Sequence, residues 1–191
     1  MILSRLKLTA LVGSLAVAII LAFAMPPASA APKCEAAAFV INAGKTYDQA
    51  ARANSASAFA NGVARYSDMR STALFALGRY RKLLPKAREG EFIALTKKFM
   101  GEFMLENGKD FRVGTMTITE CSGSGGNIRV TAKTSSGDTV AFRIAKTGSG
   151  FTVLDMRANS IWLVQQMRST FVGTISSHND DIDALFKYLK R

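Results

Sequence analysis

The feature that most restricts this chain is a change in the spacing of its apolar residues. Between positions 35 and 108 they recur at three- and four-residue steps, as in Phe92, Leu95, Phe99 and Phe103. That spacing lines up side chains on one face of a helix. From Met116 the apolar residues alternate instead: Met116 and Ile118, then Ile128, Val130 and Ala132, then Val140, Phe142 and Ile144. A two-residue period with polar residues between is a strand with one buried face. Segments 122–126, 135–138 and 147–150 are rich in Gly, Ser and Asp, and connections this short join only antiparallel neighbours. Residues 151–156 form a fourth strand, apolar on both faces and therefore central or covered. Helical spacing returns in Ile161, Val164, Met167, Phe171 and Ile175, and again in Ile182, Leu185, Phe186 and Leu189. The expected fold is α+β: N-terminal helices, a four-stranded antiparallel meander and two C-terminal helices. Pro85 is expected in the first turn of the helix that carries Phe92, and Asn107-Gly108 at its end.

The first 30 residues read differently. Arg5 and Lys7 precede an uncharged run from Ala10 to Phe23, which Pro26 and Pro27 break, and Ala28-Ser29-Ala30 follows. This is the pattern of a cleaved secretory signal peptide, over residues 1–30. A membrane anchor would need ~20 apolar residues. The remainder, 31–191, is one domain's worth of chain. Without Arg5 and Lys7 the formal charge of +11 becomes +9. Outside the cytoplasm such a charge suits an anionic membrane surface or an acidic protein rather than nucleic acid. Cys34 and Cys121 are the two cysteines, and an oxidising compartment favours pairing them.

No catalytic, metal or cofactor set stands out. Gly44-Lys45-Thr46 resembles the tail of a phosphate-binding loop, but Phe39 stands where its first glycine belongs. His178 is the one histidine, and helix capping accounts for the Asn179-Asp180-Asp181 run after it. Asp155 and Arg168 lie in apolar surroundings. Two readings stay open: a mutual ion pair or backbone bonding that joins strand to helix, or Arg168 at a cavity mouth meeting a ligand phosphate. Arg79, Arg81, Lys82, Lys86 and Arg88 place five positive charges within ten residues around Pro85, a candidate docking patch for a membrane or acidic protein.

Two blocks resemble the MlaC family, the toluene-tolerance or periplasmic phospholipid-binding proteins of Gram-negative envelopes. One is Phe75-Ala76-Leu77-Gly78-Arg79-Tyr80-Arg81, followed by Pro85 and Phe92. The other is Phe151-Thr152-Val153-Leu154-Asp155-Met156, followed by a helix with Val164, Arg168 and Phe171. The hopanoid-associated HpnM branch is the nearest in flavour. Phe151, Ser160, Trp162 and Met167 depart from the family's usual residues. The resemblance implies a soluble periplasmic carrier that shelters the acyl chains of a phospholipid or hopanoid-like lipid. It would shuttle that lipid between an outer-membrane lipoprotein complex and an inner-membrane ABC transporter, with transient membrane contact. The fold would enclose an apolar cavity between sheet and helices. Its expected wall includes Phe99, Phe103, Met116, Phe142, Trp162 and Met167. Leu77, Tyr80, Leu84, Val130, Val164, Arg168 and Phe171 complete the expected lipid-binding set. The rival readings are an isomerase or dehydratase of the NTF2-like fold with Asp155 as base, and a non-enzymatic envelope adaptor.

Overall fold

In the computed structural model, which describes residues 34–107, 115–158 and 160–191, the first half of the domain is helical. It holds α1 (Ala37–Arg52), α2 (Ala56–Tyr66), α3 (Met69–Ala76) and α4 (Glu89–Glu106). The breaks between them are local. Asn54 takes a left-handed φ of 49°. Ser55 then caps α2 by accepting the Ala58 N–H at 3.1 Å, and Asp68 caps α3 by accepting the Ser71 N–H at 3.0 Å. Two 3₁₀ turns, Gly78–Leu83 and Lys86–Arg88, link α3 to α4. Pro85 therefore does not open α4 as expected. It is extended, with ψ 135°, and precedes the second turn; α4 starts at Glu89, with Glu89 and Glu91 in its first turn, where the helix dipole favours negative charge. The segment read as a signal peptide, 1–30, and Gly108 lie outside the described residues. The described residues fall within one compact unit, Ala31–Arg191.

The sheet is an antiparallel meander in the order β1 (Met116–Ser122), β2 (Ile128–Thr134), β3 (Thr139–Thr147), β4 (Gly150–Ala158) and β5 (Ile161–Trp162). It has five strands, where the alternation predicts four. Ile161 and Trp162 fold back onto Ala158 and Arg157, and two residues are too few to show a period. Ile161 thereby leaves the stripe expected for the next helix and stays 48 % exposed. The helix itself, α5 (Leu163–Ser176), keeps Val164, Met167, Phe171 and Ile175 buried. After it, α6 (Ile182–Leu189) is capped by Asp181, which accepts the Asp183 N–H at 2.8 Å.

Cross-strand register sets the face that meets the helices. Val130 pairs with Phe142 and Phe142 with Met156; Ile128 pairs with Ile144 and Ile144 with Val153. All six are buried. The register slips twice, at Ile118/Glu120 and at Arg143/Ile144. At the second slip Arg143 faces Asp155 and Ile144 faces Val153, so Leu154 is left without a partner.

Helix–helix contact is close where glycine permits it. A Cβ on Gly101 would lie 2.3 Å from the Ala56 carbonyl oxygen, and one on Gly44 would lie 2.0 Å from the Met116 terminal methyl carbon. Gly44-Lys45-Thr46 is thus interior to α1, and its glycine makes room for a strand side chain. Phe92 meets Phe171 and Phe186 edge-on at 6.0 Å, and Phe99 meets Phe171 at 5.4 Å. Such pairs each contribute about 0.5–1.5 kcal/mol beyond burial. Cys34 and Cys121 form a disulfide that joins the start of α1 to β1.

Candidate functional site at the junction of α3, β4 and α5

Most of the expected lipid wall is core. Leu77, Tyr80, Val130, Phe142, Met167 and Phe171 are each at most 3 % exposed. Leu84, Phe99, Phe103 and Met116 are partly buried and packed against the same cluster. Phe99 lies between Phe171, Phe103 and Tyr188, and Met116 lies over Gly44. The Tyr80 hydroxyl donates to Asp180. The large apolar residues meet one another across the fold, and of the expected set Val164 alone lines an open cleft.

A cleft of about 320 Å³ opens elsewhere, bounded by Asp68, Ser71, Thr72 and Phe75 on the α3 side, Arg143 on β3, 152–155 on β4, and Val164 and Gln165 on α5. Of the expected wall, Val164 borders it. Trp162 and Arg168 reach its rim through neighbours, the Arg143 guanidinium lying 4.1 Å from the Trp162 ring centre and that of Arg168 4.8 Å from the Phe75 ring. Val153, Leu154, Asp155 and Val164 also border a small void of about 10 Å³, whose far wall is Tyr47, Val63, Met100, Met156 and Leu163. The cleft and the void thus share a wall at the seam between sheet and helices.

Asp155 holds this junction together. Its Oδ1 accepts the Val164 N–H at 2.8 Å and the Met156 N–H at 2.9 Å. Trp162, the residue before α5, provides no side-chain cap, so a strand carboxylate caps the helix from outside it. Burial pushes the Asp155 carboxyl above the usual carboxylate range, and the two backbone N–H groups and Arg143 oppose that shift. Its Oδ2 is buried and has no hydrogen-bond partner among the described residues. The backbone-bonding reading of Asp155 therefore holds, and the ion pair with Arg168 does not form.

Arg168 instead donates to the Phe75 carbonyl at 3.1 Å. It also explains Gly78, whose φ is +55° and whose added Cβ would lie 3.1 Å from the Arg168 Nη2. The Leu77-Gly78 motif and Arg168, far apart in sequence, are one joint. At the opposite rim Ser71 holds the Asp68 carboxyl below its ordinary value by hydrogen bonding, from its hydroxyl at 2.6 Å and its N–H at 3.0 Å.

The basic elbow divides. Arg79 donates to the Tyr80 hydroxyl at 2.6 Å. Arg88 pairs with Glu91 and Asp183 and lies 3.5 Å from the Phe186 ring centre, which makes it a clamp between the second 3₁₀ turn and α6. Arg81, Lys82 and Lys86 are exposed and remain available for docking. His178 Nδ1 bonds with the Thr174 carbonyl at 2.8 Å. Among the described residues no group of three or more His, Cys, Asp or Glu could hold a metal ion. No described helix is long and apolar enough to cross a membrane.

Sequence reasoning missed Phe75, Leu154, Arg143 and Gln165 as cleft residues. The available signals were Phe75 and Leu154 themselves, large apolar residues that fall outside the buried stripes. Comparison with known proteins agrees with this architecture. A phospholipid-binding protein from Ralstonia solanacearum, solved in complex with a phospholipid, superposes with a TM-score of 0.68 at 15% identity, covering 80% of this chain and 93% of that one. No curated protein matches the chain in sequence. The family model described as MlaC protein matches residues 34–191, and on that match the chain belongs to the MlaC family.

Proposed function

We propose that this chain is a soluble periplasmic carrier of phospholipid or a related envelope lipid. In this reading residues 1–30 are its signal peptide and 31–191 its single lipid-binding domain. The observation that carries the reading is the open cleft whose β4–α5 wall, Val153, Leu154, Asp155 and Val164, is shared with the void in the seam under β4. A soluble protein that moves a lipid must keep its acyl chains out of water, at about 0.8 kcal/mol per CH₂ group. The cleft, at about 320 Å³, is at the small end of ligand sites, which span roughly 300–1,000 Å³. Two acyl chains need more room, and the seam is where it arises. Met100 and Met156 border the void there, and methionine repacks more readily than branched or aromatic side chains. The tails enter past Val153 and Val164 while the headgroup stays at the mouth, beside Arg143. The solved relative is a phospholipid-binding protein in complex with its lipid, which supports this choice of cargo. Transfer between an outer-membrane lipoprotein complex and an inner-membrane ABC transporter follows from the family and involves no covalent chemistry.

Native mass spectrometry of protein purified from the cell envelope, with extraction of bound lipid, tests the proposal. A stoichiometric phospholipid or hopanoid is expected. Repeated recovery of lipid-free protein, together with failure to take up lipid from vesicles, overturns it. In paired variants, Leu154→Trp, at the shared border of cleft and void, is expected to fold and to lose lipid, while Ala38→Trp, on an exposed turn of α1, retains it.

A further inference from the structure

We infer that the rim of the α3–β4–α5 cleft is a membrane-docking face that lays the cleft mouth on a bilayer containing anionic phospholipid. The first observation is where apolar surface is left uncovered. Four large apolar side chains are exposed among the described residues: Phe75, Leu154 and Ile161 at 46 %, 46 % and 48 %, and Leu83, on the basic elbow, at 47 %. Phe75 and Leu154 border the cleft, and Ile161 immediately precedes Trp162, which touches the cleft through Arg143. Burying such side chains is favourable in proportion to their apolar area, yet here they face outward together.

The second observation is the set of cations among them. Arg143 and Arg157 lie over Trp162, with guanidinium carbons 4.1 and 5.3 Å from the ring centre, and Arg168 lies over Phe75 at 4.8 Å. None of the three forms an ion pair with a carboxylate among the described residues. The rings hold the guanidinium groups at the surface; Arg168 gives one N–H to the Phe75 carbonyl and Arg143 acts on the Asp155 carboxyl, and the remaining N–H donors are left to phosphate oxygens. Aromatic and arginine residues beside exposed aliphatic ones suit a bilayer interface, with phosphates outside and hydrocarbon within.

A protein partner with an acidic groove would also meet the charge. The bilayer is favoured because two of the exposed apolar residues, Phe75 and Leu154, border the mouth itself. A tail passing from membrane to cleft under such a contact never crosses water. The passage of a tail rests on the carrier reading; the exposed surface does not. The elbow has an exposed Leu83 and an Arg79–Tyr80 ring contact of its own, so what sets the α3–β4–α5 face apart is the cleft that Phe75 and Leu154 border.

Trp162 is the one tryptophan in the chain, so intrinsic fluorescence reports on this face alone. The experiment mixes the exported protein with vesicles of phosphatidylcholine, with or without phosphatidylglycerol, carrying brominated acyl chains. Sedimentation and Trp162 quenching are measured together, and the lipid content of the protein is measured separately by mass spectrometry. Pelleting with the anionic vesicles, quenching of Trp162 in the pelleted fraction and release by salt are expected. Arg143→Gln and Arg157→Gln should each weaken binding about fivefold, the effect of one basic residue near a charged membrane surface. The pair Phe75→Ser and Leu154→Ser should weaken it even at low salt, with an unchanged melting curve. Pelleting without quenching overturns the inference, because contact is then made elsewhere. Quenching confined to the supernatant, with none in the pelleted fraction, also overturns it, since Trp162 then reports lipid held inside and not contact with the bilayer. Absence of pelleting from protein that carries lipid assigns the face to a protein partner and leaves the carrier reading standing. Pelleting with quenching by protein that never carries lipid supports docking and removes the carrier reading.

Discussion

Replacing both cysteines by serine tests how far the fold depends on the link between α1 and β1. The Cys34–Cys121 disulfide closes a loop with a sequence separation of 87 residues. In the chain-entropy model, closing such a loop removes about 15 cal/mol/K from the unfolded state, or about 4–5 kcal/mol at room temperature. The folded state itself changes little, since serine is close in size to cysteine and the Lys146–Glu35 ion pair, at 2.6 Å, still bridges the same region. For a domain of this size a loss of that magnitude lowers Tm by about 10–20 °C. Urea unfolding followed by circular dichroism measures it, with three samples compared: oxidised protein, the same protein reduced, and Cys34→Ser/Cys121→Ser. The reduced and mutant samples should coincide, and both should show a larger dependence on urea because their unfolded chains are less compact. A loss below about 1 kcal/mol, or a loss with identical urea dependence, would refute the argument from loop closure.

Other expectations follow from single residues. Asp155 has a raised folded-state pKa, so its contribution is fully present below the ordinary carboxylate value and is lost as pH rises through the folded pKa. The stability of wild type relative to Asp155→Asn, which keeps an acceptor for the Val164 and Met156 N–H groups, should therefore fall with rising pH across that window; a rise contradicts the sign. Phe142→Ala should cost about 3–5 kcal/mol in denaturant titration, because the ring is packed and does not border open space; a cost under about 1 kcal/mol would return it to a cavity wall. Gly101→Val should destabilise despite the better helix propensity of valine than glycine, since the obstacle is the Ala56 backbone and α2 must move; an unchanged Tm sinks this. Arg88→Ala should lower Tm whereas Lys82→Ala and Lys86→Ala should not, and equal effects would mean that the clamp to Asp183 and Phe186 is inactive.

The order of elements was legible in the sequence because period alone separates helix from strand, and here the two periods occupy separate stretches. The disulfide was legible from compartment and count. The cleft was not, for a physical reason. Phe99, Phe103, Met116, Phe142 and Phe171 look like a lining because they are large, but size cannot say whether a residue faces a void or another side chain. Phe171 meets two phenylalanines, and Met116 meets a glycine. Conversely, the cleft is made where patterns fail: Leu154 at the register slip, Phe75 off the buried face of α3, and Trp162 in a strand of two residues. Asp155 was visible as an anomaly, but its partner was a backbone N–H, which sequence does not display. Arg168 was singled out as well, and its tie to the Phe75 carbonyl was equally invisible.

The outermost strand has a further consequence. Among the described residues β1 pairs with β2 alone and is an edge of the sheet, and such edges are templates on which a second chain can add a strand. Its register slip between Ile118 and Glu120 breaks the regular row of donors and acceptors, and its outward residues Thr117, Glu120 and Ser122 are polar and exposed. The disulfide anchors the far end of the same strand against α1. The sheet is thereby guarded at β1 against growing into fibres or larger sheets with copies of the same chain.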